Sequence, residues 1–428
     1  MARFLHLSDV HLGFDRYDNK ERTLDFFQAF RDALQKYAIA PQVDFVIIAG
    51  DLFEHRSIQP NVLNHAKFCL QELAEAGIPV IAIEGNHDNR PYGVKTSWLK
   101  YLADWDHLIL LEPEANEAGE MVLLPWDQEA KCGGYIDLPC GVRVLGSQWY
   151  GASAPRAIAQ LATAIQNLPP GPSHTVMLFH HGLEGQIARY QGALRYADLL
   201  PLQQAGVDYL ALGHIHKNYE EQGWIFNPGS VEANSVEEST FKRGVYLVEM
   251  DASGIRAELK QDYQQRAIVR LRLVAKGQES AEEIEAGAIA GIEQAIQAGK
   301  LQPEQAPIVE LKIEGKVGFD RLELDTRQLQ QALQQQSQAL IFLLKFEADS
   351  VEYASPIADD ASRLAIEEDV FMDLLVAHNS YKKRAVELAK GLISLKEMQL
   401  ENRPETELYE FVEYLLQPPT ADGSAPNL

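Results

Sequence analysis

Five short segments of this 428-residue chain carry side chains of the kinds that hold divalent metal ions. They are Ser8-Asp9-Val10-His11, Gly50-Asp51, Gly85-Asn86-His87-Asp88, His180-His181-Gly182 and Gly213-His214-Ile215-His216. Asp, Asn and neutral His are oxygen and nitrogen donors of the set that suits manganese, iron or zinc, without the thiolates that would select a structural zinc. In Asp9-x-His11 and His214-x-His216, a chain that leaves its strand but stays extended would put side chains i and i+2 on one face, where they can hold one or two ions together. Each piece alone is weak, because Gly-Asp is a turn signal in its own right and a lone histidine at a strand end is more often structural. Five in order, each behind an apolar run, supply most of the ligands that two ions require.

Those ligands need a frame to position them. Apolar runs of β character lie at 4–8, 45–49, 80–83, 122–124, 142–145, 176–179, 209–212 and 245–249, with helical patterns at 23–37, 61–76, 155–167 and 197–204. Strands alternating with helices predict an α/β domain with a largely buried sheet, and the closely spaced later strands suggest a second, more antiparallel sheet. Ligands at the carboxyl ends of such strands converge on one crevice. The composition shifts after about residue 262. Residues 263–355 read as a smaller α+β cap domain with strand patterns at 266–276, 308–316 and 339–347 and helices at 281–298 and 326–338. Residues 356–417 read as a helical segment, with Ile366, Val370, Leu374 and Leu375 at near-helical spacing, and 418–428 as a disordered tail.

Against 38 Lys and Arg the chain has 62 Asp and Glu, a formal charge of −24. Such acidity disfavours a protein that coats nucleic acid or an anionic membrane by bulk attraction, and leaves room for one site made positive by metal ions. Cys69, Cys132 and Cys140 are odd in number and form no Cys-x-x-Cys pair, which fits a reducing cytoplasm. The opening apolar run at Phe4–Leu7 is too short for a signal peptide, and no window of about 18 apolar residues offers a membrane span.

Taken together, Asp9-x-His11, Gly50-Asp51, Gly85-Asn86-His87-Asp88, His180 and Gly213-His214-x-His216 resemble the calcineurin-like metallophosphoesterase signature. Ser8 to Gly13 followed by Arg22, Asp25 and Phe26, together with Leu52-Phe53, Asp208-Tyr209 and Asn227-Pro228-Gly229-Ser230, are similar to the SbcD-like DNA double-strand-break repair exonucleases. The superfamily likeness covers about residues 3–250. It implies a two-sheet αββα sandwich over residues 1–262 and two divalent metal ions, Mn2+ before Fe, Zn or Mg. Carried over by position, Asp9, His11 and His216 would complete one ion, Asn86, His180 and His214 the other, and Asp51 would bridge them. His87 would be the histidine that stabilises the transition state or protonates the leaving oxygen, with Asp88 orienting it.

Relatives of the family often place a histidine three positions after the second-motif Asp. Here Glu54 stands there, and His55 and Arg56 follow. His55, Arg56, His181 and Arg90 are candidate substrate contacts, within a wider set of basic and aromatic residues that adds Arg16, Tyr17, Arg189, Tyr190, Arg195 and Lys217. The resemblance implies a metal-dependent DNA exonuclease or endonuclease acting on ends or single strands. It also implies docking of the C-terminal helices on an SbcC-like coiled-coil ATPase, and a homodimer through helices 23–37 and 61–76. A stand-alone phosphodiesterase or phosphatase on nucleotides or small phosphoesters is the alternative enzyme, and an inactive scaffold on the same fold the alternative of another class.

Overall fold

A computed structural model describes residues 1–91, 93–94, 96–187, 192–350, 362–376, 381–401 and 403–416. Arg189, Tyr190 and the tail expected at 418–428 lie outside the described residues. The chain divides into two units, one of Met1–Val269, Gln302–Val309 and Gln338–Ile341, the other of Arg270–Leu301, Glu310–Ser337 and Phe342–Leu428.

The first unit begins with β1 (Ala2–Leu7), α1 (Lys20–Leu34), β2 (Phe45–Ala49), α2 (Pro60–Glu75), β3 (Val80–Ile83), α3 (Trp98–Asp104) and β4 (Ile109–Leu110). A two-stranded ribbon of β5 (Glu114–Ala115) and β6 (Met121–Val122) precedes β7 (Tyr135–Leu138), β8 (Val142–Leu145), α4 (Ala154–Gln166), β9 (His174–His180), α5 (Tyr196–Gln204) and β10 (Tyr209–Gly213). Then come β11 (Tyr219–Glu221), β12 (Ile225–Asn227), β13 (Val245–Asp251) and β14 (Gly254–Lys260).

Two six-stranded sheets result, ordered β14-β13-β1-β2-β3-β4 and β11-β12-β10-β9-β8-β7. The expectation of a more antiparallel second sheet is corrected. Its centre, β8, β9, β10 and β12, is parallel, and antiparallel pairs occur only at its edges. Helices α4 and α5 are the crossovers that make β8, β9 and β10 parallel, and β12 joins β10 by way of the short edge strand β11. The hairpin β13–β14 joins the first sheet beside β1 instead.

Period-two alternation explains why the strands read as unbroken apolar runs. In β2, Phe45, Ile47 and Ala49 face the second sheet, while Val46 and Ile48 face α1 and α2. Between the sheets, Phe4 stacks on Phe45 at 4.7 Å and meets Tyr209 of the second sheet edge-on at 5.3 Å. Outside the second sheet, Ile158, Leu161 and Leu199 of α4 and α5 pack with Met177 and Leu210. The layers are therefore helix, sheet, sheet, helix. Helix starts follow capping chemistry: Asn19 accepts from the Glu21 amide, Ser97 from the Lys100 amide, and Pro60 opens α2.

A polar residue interrupts the inter-sheet core at His6, whose ring nitrogens lie 2.9 Å from Tyr209 Oη and 3.1 Å from the Leu212 carbonyl. Burial pushes this imidazole down to about 3 from 6.5, against the opposing pull of the Leu212 carbonyl. Below pH 6.5 the unfolded chain takes up a proton that the folded chain refuses, so stability present above that pH is lost as the pH falls toward 3. In chelated protein, His6→Gln is expected to flatten the decline of the unfolding free energy, read by urea titration, over this window, a difference of up to about 5 kcal/mol. Parallel declines would show that His6 is not held neutral by the fold.

The second unit rests on a three-stranded sheet ordered β15 (Ile268–Lys276), β16 (Ile308–Val317), β17 (Ile341–Ser350). Its helices are α6 (Ala281–Gln297) and α7 (Thr326–Ser337), followed by α8 (Arg363–Val376), α9 (Ala385–Leu400) and α10 (Glu405–Leu416). Helix α6 starts on a capping box, Ser280 with Glu283, and buries Ile284, Ala288 and Ile292 at i, i+4 spacing. Helix α8 differs: Leu364, Ile366, Val370 and Leu374 are 53%, 39%, 50% and 65% exposed. No described helix is long and apolar enough to cross a membrane.

Candidate metal centre

The five motifs come together at the carboxyl ends of neighbouring parallel strands. Asp9 and His11 follow β1, Asp51 follows β2 and Asn86 to Asp88 follow β3, while His180 ends β9 and His214 and His216 follow β10. The backbone there is not extended, as the Asp-x-His spacing had suggested. Asp9, His11, Asp51 and His214 have φ of +52°, +51°, +54° and +85°, a left-handed conformation that costs non-glycine residues on the order of 1–3 kcal/mol each. Hydrogen bonds between the loops hold it. The Asp9 amide donates to the Gly50 carbonyl at 3.2 Å, and the Val10 and His11 amides donate to the Asp51 carbonyl at 2.9 and 3.1 Å.

Seven candidate ligands form two groups. In the first, ligand atoms of Asp9, His11 and His216 lie within 4.8 Å of one another, with the two Nε2 atoms 3.1 Å apart. The Nδ1 of His216 is 2.9 Å from Glu238 Oε1 and that of His11 is 2.7 Å from Glu54 Oε2. The His216–Glu238 contact is an aligned hydrogen bond, whereas His11 Nδ1 and Glu54 Oε2 are close without being aligned. With carboxylates beside both Nδ1 atoms, a proton kept on each Nδ1 would leave the two Nε2 lone pairs free for a cation. Such an arrangement fits a cation between them. In the second group, His180 Nε2 is 3.1 Å from both Asp51 Oδ2 and Asn86 Oδ1, and His214 Nδ1 is 2.8 Å from Asn86 Oδ1. His180 Nδ1 lies 2.7 Å from the Ala49 carbonyl, to which it can donate.

The cleft carries surplus negative charge. Burial opposes protonation of His216 and His180, yet Glu238 lifts the first and Asp51 the second to about 9. Asp51 is held well below the carboxylate range by His180 in spite of its burial. A divalent cation would serve the same electrostatic need as those protons. The donor set of Asp, Asn and His, with no sulfur, therefore fits two such ions.

The remaining candidates divide. The His87 amide donates to Asp51 Oδ1 at 2.9 Å, and its Nδ1 faces the Glu54 carbonyl at 2.8 Å, which leaves Nε2 available on a half-exposed ring. Asp88 is buried and turned to the backbone, accepting from Leu52, Phe53 and Gly85 amides at 2.7, 3.3 and 2.8 Å. Burial, then the charge of Asp51, pushes its carboxyl up to about 8. The group that faces the His87 ring is Glu54, whose Oε2 is 3.7 Å from His87 Nδ1. His55 and Arg56 line a shallow cavity with Glu54, Asn86 and His87, Arg56 donating to the Asn86 carbonyl at 3.2 Å. His181 is buried, its ring nitrogens 3.2 Å from the Gly182 and Gly151 carbonyls. Arg90 is paired with Glu112 and lies 3.9 Å from Glu84.

Sequence reasoning missed two neighbours. Trp149, just past the end of β8, sets its ring 4.9 Å from that of His214, 5.6 Å from His181 and 5.8 Å from His180. Its place after an apolar run of the same sheet was the available signal. Glu238, 22 residues beyond His216 in a short turn, left no spacing signal.

The model of the calcineurin-like phosphoesterase family matches residues 2–218, about half of the chain and a span that contains all seven candidate ligands. The chain belongs to this family. Among calcineurin-like phosphoesterases, it is similar to the DNA double-strand break repair protein Mre11 of Archaeoglobus fulgidus, 30% identical over 242 residues that cover 56% of this chain and 52% of that one. Mre11 of Saccharolobus solfataricus is also 30% identical, over 259 residues covering 58% and 60%. The chain thus spans little more than half the length of these relatives.

Proposed function

We propose that this calcineurin-like phosphoesterase is a DNA nuclease of repair or end processing, an exonuclease or endonuclease that uses two divalent ions, manganese foremost. The observation that carries the reading is the meeting of Asp9, His11 and His216 with Asp51, Asn86, His180 and His214 in one cleft beside His87. Relatives named for double-strand break repair support DNA as the substrate class. Two ions held by these residues would supply the charge that clamps a phosphate and lowers the pKa of an attacking water.

The chain's own groups do the rest. Asp51, nearly fully buried and 3.1 Å from His180 Nε2, would be the carboxylate shared by the two ions. His87 has its Nδ1–H committed to the Glu54 carbonyl, which points Nε2 at the cleft, and in its imidazolium form that Nε2 gives a proton to the departing oxygen. Arg56 and His55 border the open side, where a phosphate backbone would pass. The apolar face of α8 suits a coiled-coil ATPase of the SbcC kind, and Leu24 and Phe68 on α1 and α2, 37% and 45% exposed, suit a second copy of the chain. Cytoplasmic residence agrees with three unpaired cysteines.

A metal-dependent panel tests the substrate class: linear duplex DNA, single-stranded DNA, a cyclic nucleotide and a chromogenic phosphodiester, each with and without Mn2+. The expected result is hydrolysis of DNA that chelation abolishes and Mn2+ restores. Turnover of the small esters with none of either DNA would replace the nuclease by a stand-alone phosphodiesterase, and no turnover of anything would favour the scaffold.

A further inference from the structure

The two candidate ion positions are electrostatically unequal. The position formed by Asp9, His11 and His216 has one carboxylate ligand of its own, and both of its imidazoles are backed by further carboxylates. Glu238 Oε1 lies 2.9 Å from His216 Nδ1, and Glu54 Oε2 lies 2.7 Å from His11 Nδ1. The other position draws Asn86, His180 and His214, all neutral when they ligate. Its His180 leans on the Ala49 backbone carbonyl at 2.7 Å, and Asn86 itself occupies the Nδ1 of His214 at 2.8 Å. Asp88, two residues after Asn86, is spent on three backbone amides. Asp51 Oδ2, 3.1 Å from His180 Nε2, is the one carboxylate that groups with this position, as Asp9 does with the other, so the difference between the two lies in the further carboxylates behind His11 and His216.

We propose that Glu238 and Glu54 are positioning residues that make the Asp9–His11–His216 position the tighter of the two. A carboxylate behind a ligating imidazole fixes its tautomer with the proton on the far nitrogen, orients the ring and raises its basicity toward a cation. Glu238 does this through an aligned hydrogen bond. Glu54 works differently. Its buried Oε2 sits between two rings, 2.7 Å from His11 Nδ1 and 3.7 Å from His87 Nδ1, while its own carbonyl holds His87 Nδ1 at 2.8 Å. The glutamate at this place therefore ties the tighter position to His87. The His11 and His87 rings are 4.9 Å apart and nearly perpendicular, at 85°, a contact that Glu54 spans from behind. The inference rests on reading the cleft as a two-ion centre, and its test does not depend on the substrate.

The test is Mn2+ binding to the metal-stripped full-length chain, followed by titration calorimetry and by the paramagnetic signal of free Mn2+. Two classes of site are expected in the wild type. Glu238→Gln should weaken the tighter class roughly 10- to 100-fold, and Glu54→Gln likewise, each leaving the weaker class unchanged. Asn86→Ala should do the opposite and weaken only the weaker class. Glu238→Asp, which keeps the charge, should recover part of the tight binding, and this comparison separates positioning from a general loss of fold. Wild-type affinities in both Gln variants, selective loss of the weaker class, or no recovery with Asp would each overturn the proposal. Two equal sites in the wild type would overturn it while leaving the two-ion reading intact, whereas no uptake of Mn2+ at all would sink both.

Discussion

Asp51→Asn and His87→Ala are each expected to reduce Mn-dependent phosphodiester hydrolysis to near background, by different routes. Asp51 is almost completely buried and is the carboxylate that His180 faces at 3.1 Å. Exchanging it for asparagine keeps the shape and an acceptor for the His87 amide at 2.9 Å, but removes the negative charge. Bound manganese should fall from two per chain toward one or none, and turnover should fall with it. His87 contributes its backbone amide to Asp51 and its ring to the open side of the cleft. Its alanine variant should therefore keep both ions and lose roughly 10²–10⁴ in kcat with little change in KM, the scale of a general acid. Metal analysis beside steady-state kinetics separates the two cases. Turnover retained in both variants would remove Asp51 and His87 from the mechanism, and retained metal in Asp51→Asn would remove the shared-ligand role alone.

The residues that a reader of the sequence could place are those whose position follows from a strand. Asp9, Asp51, Asn86, His180 and His214 each stand within three residues of the end of a buried apolar run, and parallel strands deliver their carboxyl ends to one edge. The α/β sandwich was legible for the same reason, since β2 is apolar at every position and buried at every position. What escaped depends on chain-distant partners. The assignment of β13–β14 to the first sheet is decided by its pairing with β1 across more than 200 residues, which local pattern does not encode. Glu238 and Trp149 reach the site from turns whose composition is unremarked, and only the assembled sheets bring them to His216 and His214. The left-handed backbone at Asp9, His11 and His214 was hidden too, because nothing in those residue types demands a positive φ. Asp88 shows the same limit in reverse. Its adjacency to His87 suggested that it orients the ring, yet its oxygens are taken by the amides of Leu52, Phe53 and Gly85, so that it ties the loop after β3 to the loop after β2.

Gly85→Ala, a single added methyl group, is expected to cost on the order of 10²-fold in turnover, the scale of an ångström-sized misplacement. Gly85 packs directly against Asp51: a Cβ at this position would come 2.6 Å from the Asp51 amide nitrogen and 2.7 Å from its Cγ, and would overlap Oδ1. Side-chain carbons do not approach that closely, and neither neighbour can give way freely. The Asp51 carbonyl receives the Val10 and His11 amides, and its carboxylate faces His180. The loop after β3 would have to withdraw, taking Asn86 and the His87 amide with it and pulling Asp51 away from His180. Loss of function should therefore come with weakened metal binding at the Asn86 position, while the strands behind remain folded. Gly291→Ala is the matched control. It makes the same chemical change inside α6, where nothing lies within 4 Å of the new methyl group. That variant should keep full activity and gain up to about 1 kcal/mol of stability from the higher helix propensity of alanine. Paired kinetics and urea unfolding of the two variants decide the matter. Wild-type turnover in Gly85→Ala would mean that the close approach of the β2 and β3 loops is not what fixes Asp51. Loss of activity together with loss of the folded state would assign the glycine to the core, and loss of activity with the unfolding midpoint preserved would assign it to the metal cleft.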